Sequence, residues 1–349
     1  MNTAHPRLPR VAIIVLNWNG AQETLGCLTS LAAVTYPNHS VLVADNGSED
    51  DSLAQIRAQF PTIEILENRA NLGYAGGNNR AITHVMTSAP DFVLLLNNDV
   101  EVAPDFLDHL IAAAESLPNA GFLGAMTLSH GKYSAWIEAL GGCYWDAGRL
   151  DFRSLAHQER GDDHASKPPI LLDYATGSCL LVRAEVISRV GLMDEHYFLT
   201  FEESDWCYRG KELGYLSYAV PAARIWHKVS VSFGGVRSPL VDYFMTRNRL
   251  YFADRHLPRS ARHRLLLRAL TSVLRACWPI FRAGERPPQV SRLRHGYWIA
   301  RRFLREAFAF RHNPRVLARY HGLADYLAGR SGDCPAPLRR QLRLPGPTG

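Results

Sequence analysis

The sequence predicts an α/β fold with a mostly parallel central sheet, helices on both faces, and an Arg-rich α-helical C-terminal extension. Three observations carry this. Short apolar runs alternate with longer amphipathic stretches from 11 to 125, the repetition that builds parallel sheets covered by helices. The runs end in polar clusters, Asn17-Trp18-Asn19, Asp45-Asn46-Gly47-Ser48 and Asn97-Asn98-Asp99, where such sheets bind ligands. From about 240, apolar and Arg residues recur at helical spacing.

Taken in order, VAIIVLNWN (11–19) reads as a buried strand entering a loop, and 22–33 as a helix closed by Tyr36-Pro37. SVLVADNGS (40–48) is a strand ending in a turn, followed by a helix over 50–59. IEILEN (63–68) is a third strand and 76–88 a third helix; DFVLLLNNDV (91–100) is a fourth strand, with a helix after Pro104 through Leu117. Residues 126–175 read as irregular, rich in glycine and aromatics. A strand at 177–183, a helix at 184–190 and a helix through Trp206–Leu213 follow. Helices over 260–276 and 292–310 are separated by the breaker at 284–288, and the Pro- and Gly-rich tail beyond Ser331 is expected to be disordered. The expected division is an arm at 1–10, a main α/β domain at 11–255 with halves at 11–125 and 126–255, a basic extension at 256–330, and a tail at 331–349.

The 349 residues are 47% hydrophobic and 21% charged, which excludes a disordered chain and allows one large domain plus an appendage. The longest stretch without Asp, Glu, Lys or Arg, 24–44, is interrupted by Pro37-Asn38-His39, so no membrane span is expected. Met1–Arg10 is polar with two prolines, so no secretory leader is expected either. Six scattered cysteines without C-x-x-C spacing fit reduced thiols in the cytoplasm rather than a zinc site. The net charge of +6 hides a split: residues 254–349 hold 20 Arg and 5 acids (+15), and 1–253 hold 19 basic and 28 acidic residues (−9). The basic end suits an anionic surface. Through 260–310 that surface could be an anionic membrane, the alternatives being packing on the preceding domain or a solvated face.

Several residues carry chemistry. Asp45, at a strand end before Asn46-Gly47-Ser48, can accept hydrogen bonds from a base or ribose, or simply cap a turn. Asn71-Leu72-Gly73-Tyr74-Ala75-Gly76-Gly77 opens a helix whose free N–H groups suit a phosphate. Asp99, with Asn97 and Asn98, offers oxygens to Mg2+ or Mn2+ holding a diphosphate. Phe201-Glu202-Glu203-Ser204-Asp205-Trp206 places three acids among aromatics, a setting that raises a carboxyl pKa and favours a general base. His227 is a metal ligand or a structural histidine.

In order and spacing, VLNWNG, VADNGSED, NRANLGYAGGNN, LLLNNDVE, ATGSCLLVR, MDEHYFLTFEESDWCYR and YFMTRNRLYF resemble the family 2 glycosyltransferases, within them the bacterial rhamnosyltransferase-like branch. The likeness runs from Val11 to about His256. It implies a GT-A fold, a nucleotide-sugar donor, a divalent cation and inversion at the anomeric carbon. By position, it places Asn17 near the base, Asp45 on the nucleoside, Asn71 and Gly73 by the donor, Asp99 and His227 on the metal, and Glu203 as catalytic base beside Glu202. The sequence departs from the family's pattern at Asn97, which stands where the D-x-D-like triplet has its first acid, and at Glu203, where Asp is commoner. The absence of Q-x-x-R-W favours addition of one sugar over polymerisation. The resemblance therefore implies transfer of L-rhamnose from dTDP-rhamnose to a lipid-linked or cell-surface glycan. The alternatives are a UDP- or GDP-hexose donor and, from another class, a non-catalytic nucleotide-binding regulator. A dinucleotide oxidoreductase is disfavoured because no G-x-G-x-x-G follows the first strand, and no nucleic-acid partner is expected.

Overall fold

The computed structural model describes residues 7–228, 238–277 and 313–341. The chain divides into two compact units, Met1–Val236 and Arg237–Gly349.

In the first unit, β1 (Val11–Asn17), β2 (His39–Asp45), β3 (Glu64–Glu67) and β4 (Phe92–Asn97) pair in the order β3-β2-β1-β4, all parallel. Residues after 119 extend this sheet, and the segment 126–175, expected to be irregular, contributes to it the end of β6 (Ala120–Ser129) together with β7 (Ile137–Leu140) and β10 (Ile170–Leu172). β6, β12 (Cys179–Arg183) and β13 (Leu216–His227) continue it as β4-β12-β6-β13, and β10 closes the edge. β12 runs antiparallel to β4 and β6, whereas β6 and β13 are parallel. Six strands (β1, β2, β3, β4, β6, β13) thus share one direction, so Asn17, Asp45, Asn97 and His227 all emerge at the same rim. Two short strands, β5 (Val100–Val102) and β7, add to β13 and β6. A separate small sheet holds β8 (Gly142–Asp146), β9 (Asp151–Ser154) and β11 (Tyr174–Ala175) in the order β11-β8-β9.

Burial on both faces explains why the central strands read as unbroken apolar runs. Val11, Ile13 and Val15 pack into a core with Leu28 and Leu31 of α1 (Ala21–Leu31) and Phe106, Leu107 and Leu110 of α4 (Phe106–Ser116). Ala12 and Ile14 face the opposite core, with Ile82 of α3 (Gly73–Met86), Val186 of α5 (Ala184–Val190) and Trp206 of α6 (Glu202–Glu212). α2 (Ser52–Gln59) adds Ile56 to the first core. Trp206 is fully buried, stacks edge-on against Phe122 at 5.5 Å and donates from Nε1 to the Gly191 carbonyl at 2.8 Å. That anchor fixes the start of α6 at the sheet's rim.

The second unit holds α7 (Pro239–His256), α8 (Arg259–Cys277), α9 (Pro314–Leu327) and α10 (Ala336–Gln341). Its boundary falls ahead of the 255/256 division read from the sequence, because α7 packs on α9: Tyr243 donates to Asp325 Oδ2 at 2.7 Å. Both helices start with an N-cap and a proline at the first turn, Ser238-Pro239 and Asn313-Pro314. Among the described residues the acids here each meet arginine: Asp242 with Arg315 and Arg319, Asp254 with Arg262, Asp325 with Arg330. The stretch expected to be disordered from Ser331 is helical at Ala336–Gln341, where Arg339 pairs with Asp333 and Leu338 is buried. The expected breaker at 284–288 and the stretch 292–310 lie outside the described residues. Among the described residues no helix is long and apolar enough to cross a membrane.

Candidate active site

Register decides which side chains share the rim. Asn17 pairs with Asp45 across β1 and β2, and Leu16 with Asn97 across β1 and β4. Asn17 Nδ2 donates to Asp45 Oδ1 at 2.9 Å and to Ser48 Oγ at 3.0 Å, while its Oδ1 accepts from Thr24 at 2.7 Å. Ser48 in turn donates to both Asp45 oxygens, from its N–H at 2.9 Å and its hydroxyl at 2.5 Å. Thr24 Oγ1 also accepts from Asn98 Nδ2 at 3.0 Å. A buried row Asp45–Asn17–Thr24–Asn98 therefore links three strand ends. Thr24 carried no local signal in the sequence, since a hydroxyl inside a helix is ordinarily solvated.

The start of α3 differs from the expected phosphate cradle. Gly73 N–H donates to Asn71 Oδ1 at 2.9 Å, and Tyr74 N–H to the Phe198 carbonyl at 2.7 Å. The donors read as free are thus engaged by the protein. Gly73 sits at φ +73°, and a Cβ there would overlap the Phe198 carbonyl, so glycine is required by close packing as well as by conformation. Asn46 braces the turn, donating to Asn71 Oδ1 at 3.2 Å and to the Gly73 carbonyl at 3.0 Å.

The Phe198 turn leads directly to the acids. Phe198, Thr200 and Phe201 all have positive φ (62°, 67° and 74°), a concentration of strain typical of functional turns. Glu202 and Glu203 follow at the first turn of α6. Glu202 Oε2 and Glu203 Oε2 are buried without a hydrogen-bond partner. Burial, then the neighbouring Glu203 charge, pushes Glu202 well above the carboxylate range, and burial raises Glu203. The Gly177 backbone N–H donates to Glu203 and partly opposes that shift. The Gly177 carbonyl accepts from Tyr74 at 2.8 Å, and the Ser178 carbonyl accepts from Asn97 N–H at 3.1 Å. One short segment thus ties Glu203 to the end of β4. Asp205, the third acid, is fully buried and held by Arg209.

Asp99 and His227 are brought together by β5, which pairs His227 with Val100, and by Lys228 N–H donating to the Asp99 carbonyl at 2.9 Å. His227 Nε2 lies 3.2 Å from Asp99 Oδ1, and Nδ1 lies 3.3 Å from Glu138 Oε2. The first contact suits an ion pair, yet Asp99 Oδ1 is buried with no donor in hydrogen-bond geometry. Burial works against a charged imidazole, but the two carboxylates hold its pKa up at about 9. Among the described residues no cluster of three or more His, Cys, Asp or Glu forms a complete cation cage. One carboxylate and one imidazole nevertheless fit Mg2+ or Mn2+, which take one or two protein ligands and complete their shell with substrate phosphates and water. Glu138 was missed in the sequence, as β7 lies in the stretch read as irregular.

Residues 12–190 match the family described as Glycosyl transferase family 2. The N-acetylglucosaminyl-diphospho-decaprenol L-rhamnosyltransferase of Mycobacterium tuberculosis is 31% identical over 249 residues, covering 66% of this chain and 79% of that protein. The dTDP-rhamnosyl transferase RfbF of Shigella flexneri is 22% identical over 253 residues, covering 70% and 80%. A mannosyltransferase of Pyrobaculum calidifontis, in complex with GDP-Man and Mn2+, superposes with a TM-score of 0.55 at 16% identity, covering 93% of this chain and 89% of that one. That likeness carries the GT-A fold alone. A match across half of the chain, and 31% identity over most of a rhamnosyltransferase, settle the family: the chain belongs to the family 2 glycosyltransferases, on their rhamnosyltransferase-like branch.

Proposed function

We propose that this chain transfers one L-rhamnosyl unit from dTDP-rhamnose to a hydroxyl of a lipid-linked glycan acceptor, with inversion at the anomeric carbon. The observation that carries the reading is Glu203, a carboxylate of raised pKa with a buried, unpartnered oxygen at the rim that also holds Asp99. Donor and acceptor classes are drawn from the names of the two rhamnosyltransferase relatives.

In this reading Asp45, held by Asn17 and Ser48, takes the nucleoside. Asn71 and Gly73 line the donor from the α3 turn, and Asn97 and Asn98 flank its diphosphate. Asp99 and His227 hold the cation; bound there, Mg2+ or Mn2+ supplies neutralisation of charge on the departing diphosphate. Glu203 accepts the acceptor hydroxyl's proton as that oxygen bonds to the anomeric carbon and the bond to the nucleotide breaks on the opposite face. Glu202, kept neutral by burial and by its neighbour, lets Glu203 be the acid that ionises. The Arg surplus beyond residue 253 supports a cytoplasmic enzyme attached peripherally to an anionic membrane.

The test is a transfer assay with dTDP-rhamnose, UDP-hexoses and GDP-hexoses against a polyprenyl-diphospho-N-acetylglucosamine acceptor. A rhamnosylated product of inverted configuration is expected. Turnover with a UDP- or GDP-hexose only would replace the donor, and nucleotide binding without transfer or donor hydrolysis would favour a regulatory protein.

A further inference from the structure

Resting on that reading of the cation site, we infer that Glu138 is the positioning residue that fixes His227 as a metal ligand. A neutral imidazole carries one N–H, and the hydrogen bond made by one nitrogen decides what the other can do. With Nδ1–H directed at Glu138 Oε2, 3.3 Å away, Nε2 is the nitrogen that faces Asp99 Oδ1, at 3.2 Å, and the one that would exchange its proton for a cation. A cation bound between Nε2 and Asp99 Oδ1 would take over the positive charge that the imidazolium otherwise supplies there. Without Glu138 the ring is free to adopt the other tautomer, donate Nε2–H to Asp99 and close the site. Carboxylate partners of this kind orient histidine ligands in metal sites generally.

The fold holds Glu138 in place. β7 is pinned by the buried Ile137 and Leu140, by the Leu128–Ile137 and Thr127–Ala139 pairings with β6, and by His157 Nδ1 at 2.9 Å from the Glu138 carbonyl. β6 in turn pairs with β13 up to His227 itself. Glu101, another acid near this rim, is engaged by Lys228 at 2.7 Å and faces His130 at 3.5 Å. The role therefore falls to Glu138.

The experiment compares Glu138→Gln with Glu138→Leu in the full chain. The two replacements have similar size, but only Gln keeps an oxygen to accept from Nδ1–H. Mn2+ affinity is measured by electron paramagnetic resonance, with Mn2+ alone and with Mn2+ plus dTDP, alongside thermal midpoints. The expected result is an affinity about 10- to 100-fold weaker for Glu138→Leu, with most of it retained by Glu138→Gln and similar midpoints. Equal affinities in wild type and both variants overturn the assignment, as does an equal loss in both. Wild-type protein that binds no Mn2+ would instead overturn the cation site and this inference with it, whereas Mn2+ binding abolished by Asp99→Asn but untouched by Glu138→Leu would overturn Glu138 alone.

Discussion

Arg209 holds the Asp205 carboxylate from one turn farther along α6, its Nε 2.7 Å from Oδ2, and Asp205 is fully buried. The guanidinium also donates to the Val190 carbonyl at 2.9 Å and the Leu192 carbonyl at 2.8 Å. Asp205 is thereby a structural anion, although it sits two residues from Glu203 in the sequence. Removing one partner of a buried pair typically costs about 3–5 kcal/mol. Asp205→Asn is therefore expected to lower the urea midpoint strongly, and the folded fraction should still transfer sugar. A stable but inactive Asp205→Asn protein would contradict this division of labour.

Glu203→Gln should behave oppositely. It preserves the fold and donor binding and lowers turnover by about 10²- to 10⁴-fold, the scale of a general base. Steady-state kinetics with a fixed acceptor measure it. A larger loss in Glu202→Gln would move the role to that residue.

Glu202 also predicts a pH dependence of stability. Its carboxyl is raised in the folded chain by burial and by Glu203, so between the unfolded pKa, about 4.3, and the raised folded value the folded state keeps a proton that the unfolded state has lost. Stability from this group is complete below the unfolded pKa and falls as pH rises through the folded one. Glu202→Gln, permanently neutral, should flatten that decline and raise the thermal midpoint at pH 8 relative to wild type. Parallel curves from pH 5 to 8 would contradict the burial argument.

Asp99→Asn tests the cation site. The acid is the only one in its triplet, so the amide should remove the Mn2+-dependent part of dTDP affinity and leave metal-free nucleotide binding within about threefold, a difference under 1 kcal/mol. Calorimetric titrations with and without Mn2+ read it directly; unchanged metal dependence would remove Asp99 from the site.

The Arg surplus predicts salt-sensitive attachment to membranes. The chain should co-sediment with anionic vesicles at low salt, less at high salt and least with neutral lipid, each arginine near the surface adding about 1 kcal/mol. Equal partition into neutral and anionic vesicles would count against it.

Much of this enzyme was legible because its signals are local. β1, β2, β4, α1, α4 and α5 fall within a few residues of the stretches read for them, since an apolar run or a 3.6-residue period closed by Pro or a polar turn needs no distant partner. The strand ends, and with them Asn17, Asp45 and Asn97–Asp99, followed from that punctuation. The longer sheet did not. β6 and β13 pair with each other across roughly ninety intervening residues, and β7, β8, β9, β10 and β11 are only two to five residues long, too short to show a period of their own.

What the chain's order of residues determined by itself was the family, the parallel half of the sheet and the kinds of side chain at its rim. Tertiary structure decided which of them meet. Only the folded chain seats Phe198 on the α3 turn and occupies its N–H groups, gives Asp205 to Arg209 while leaving a Glu203 oxygen unpartnered, and sets Glu138 behind His227. The physical reason is that a strand's pattern records whether its faces are buried, whereas a hydrogen bond or a displaced pKa depends on a partner contributed by another part of the chain.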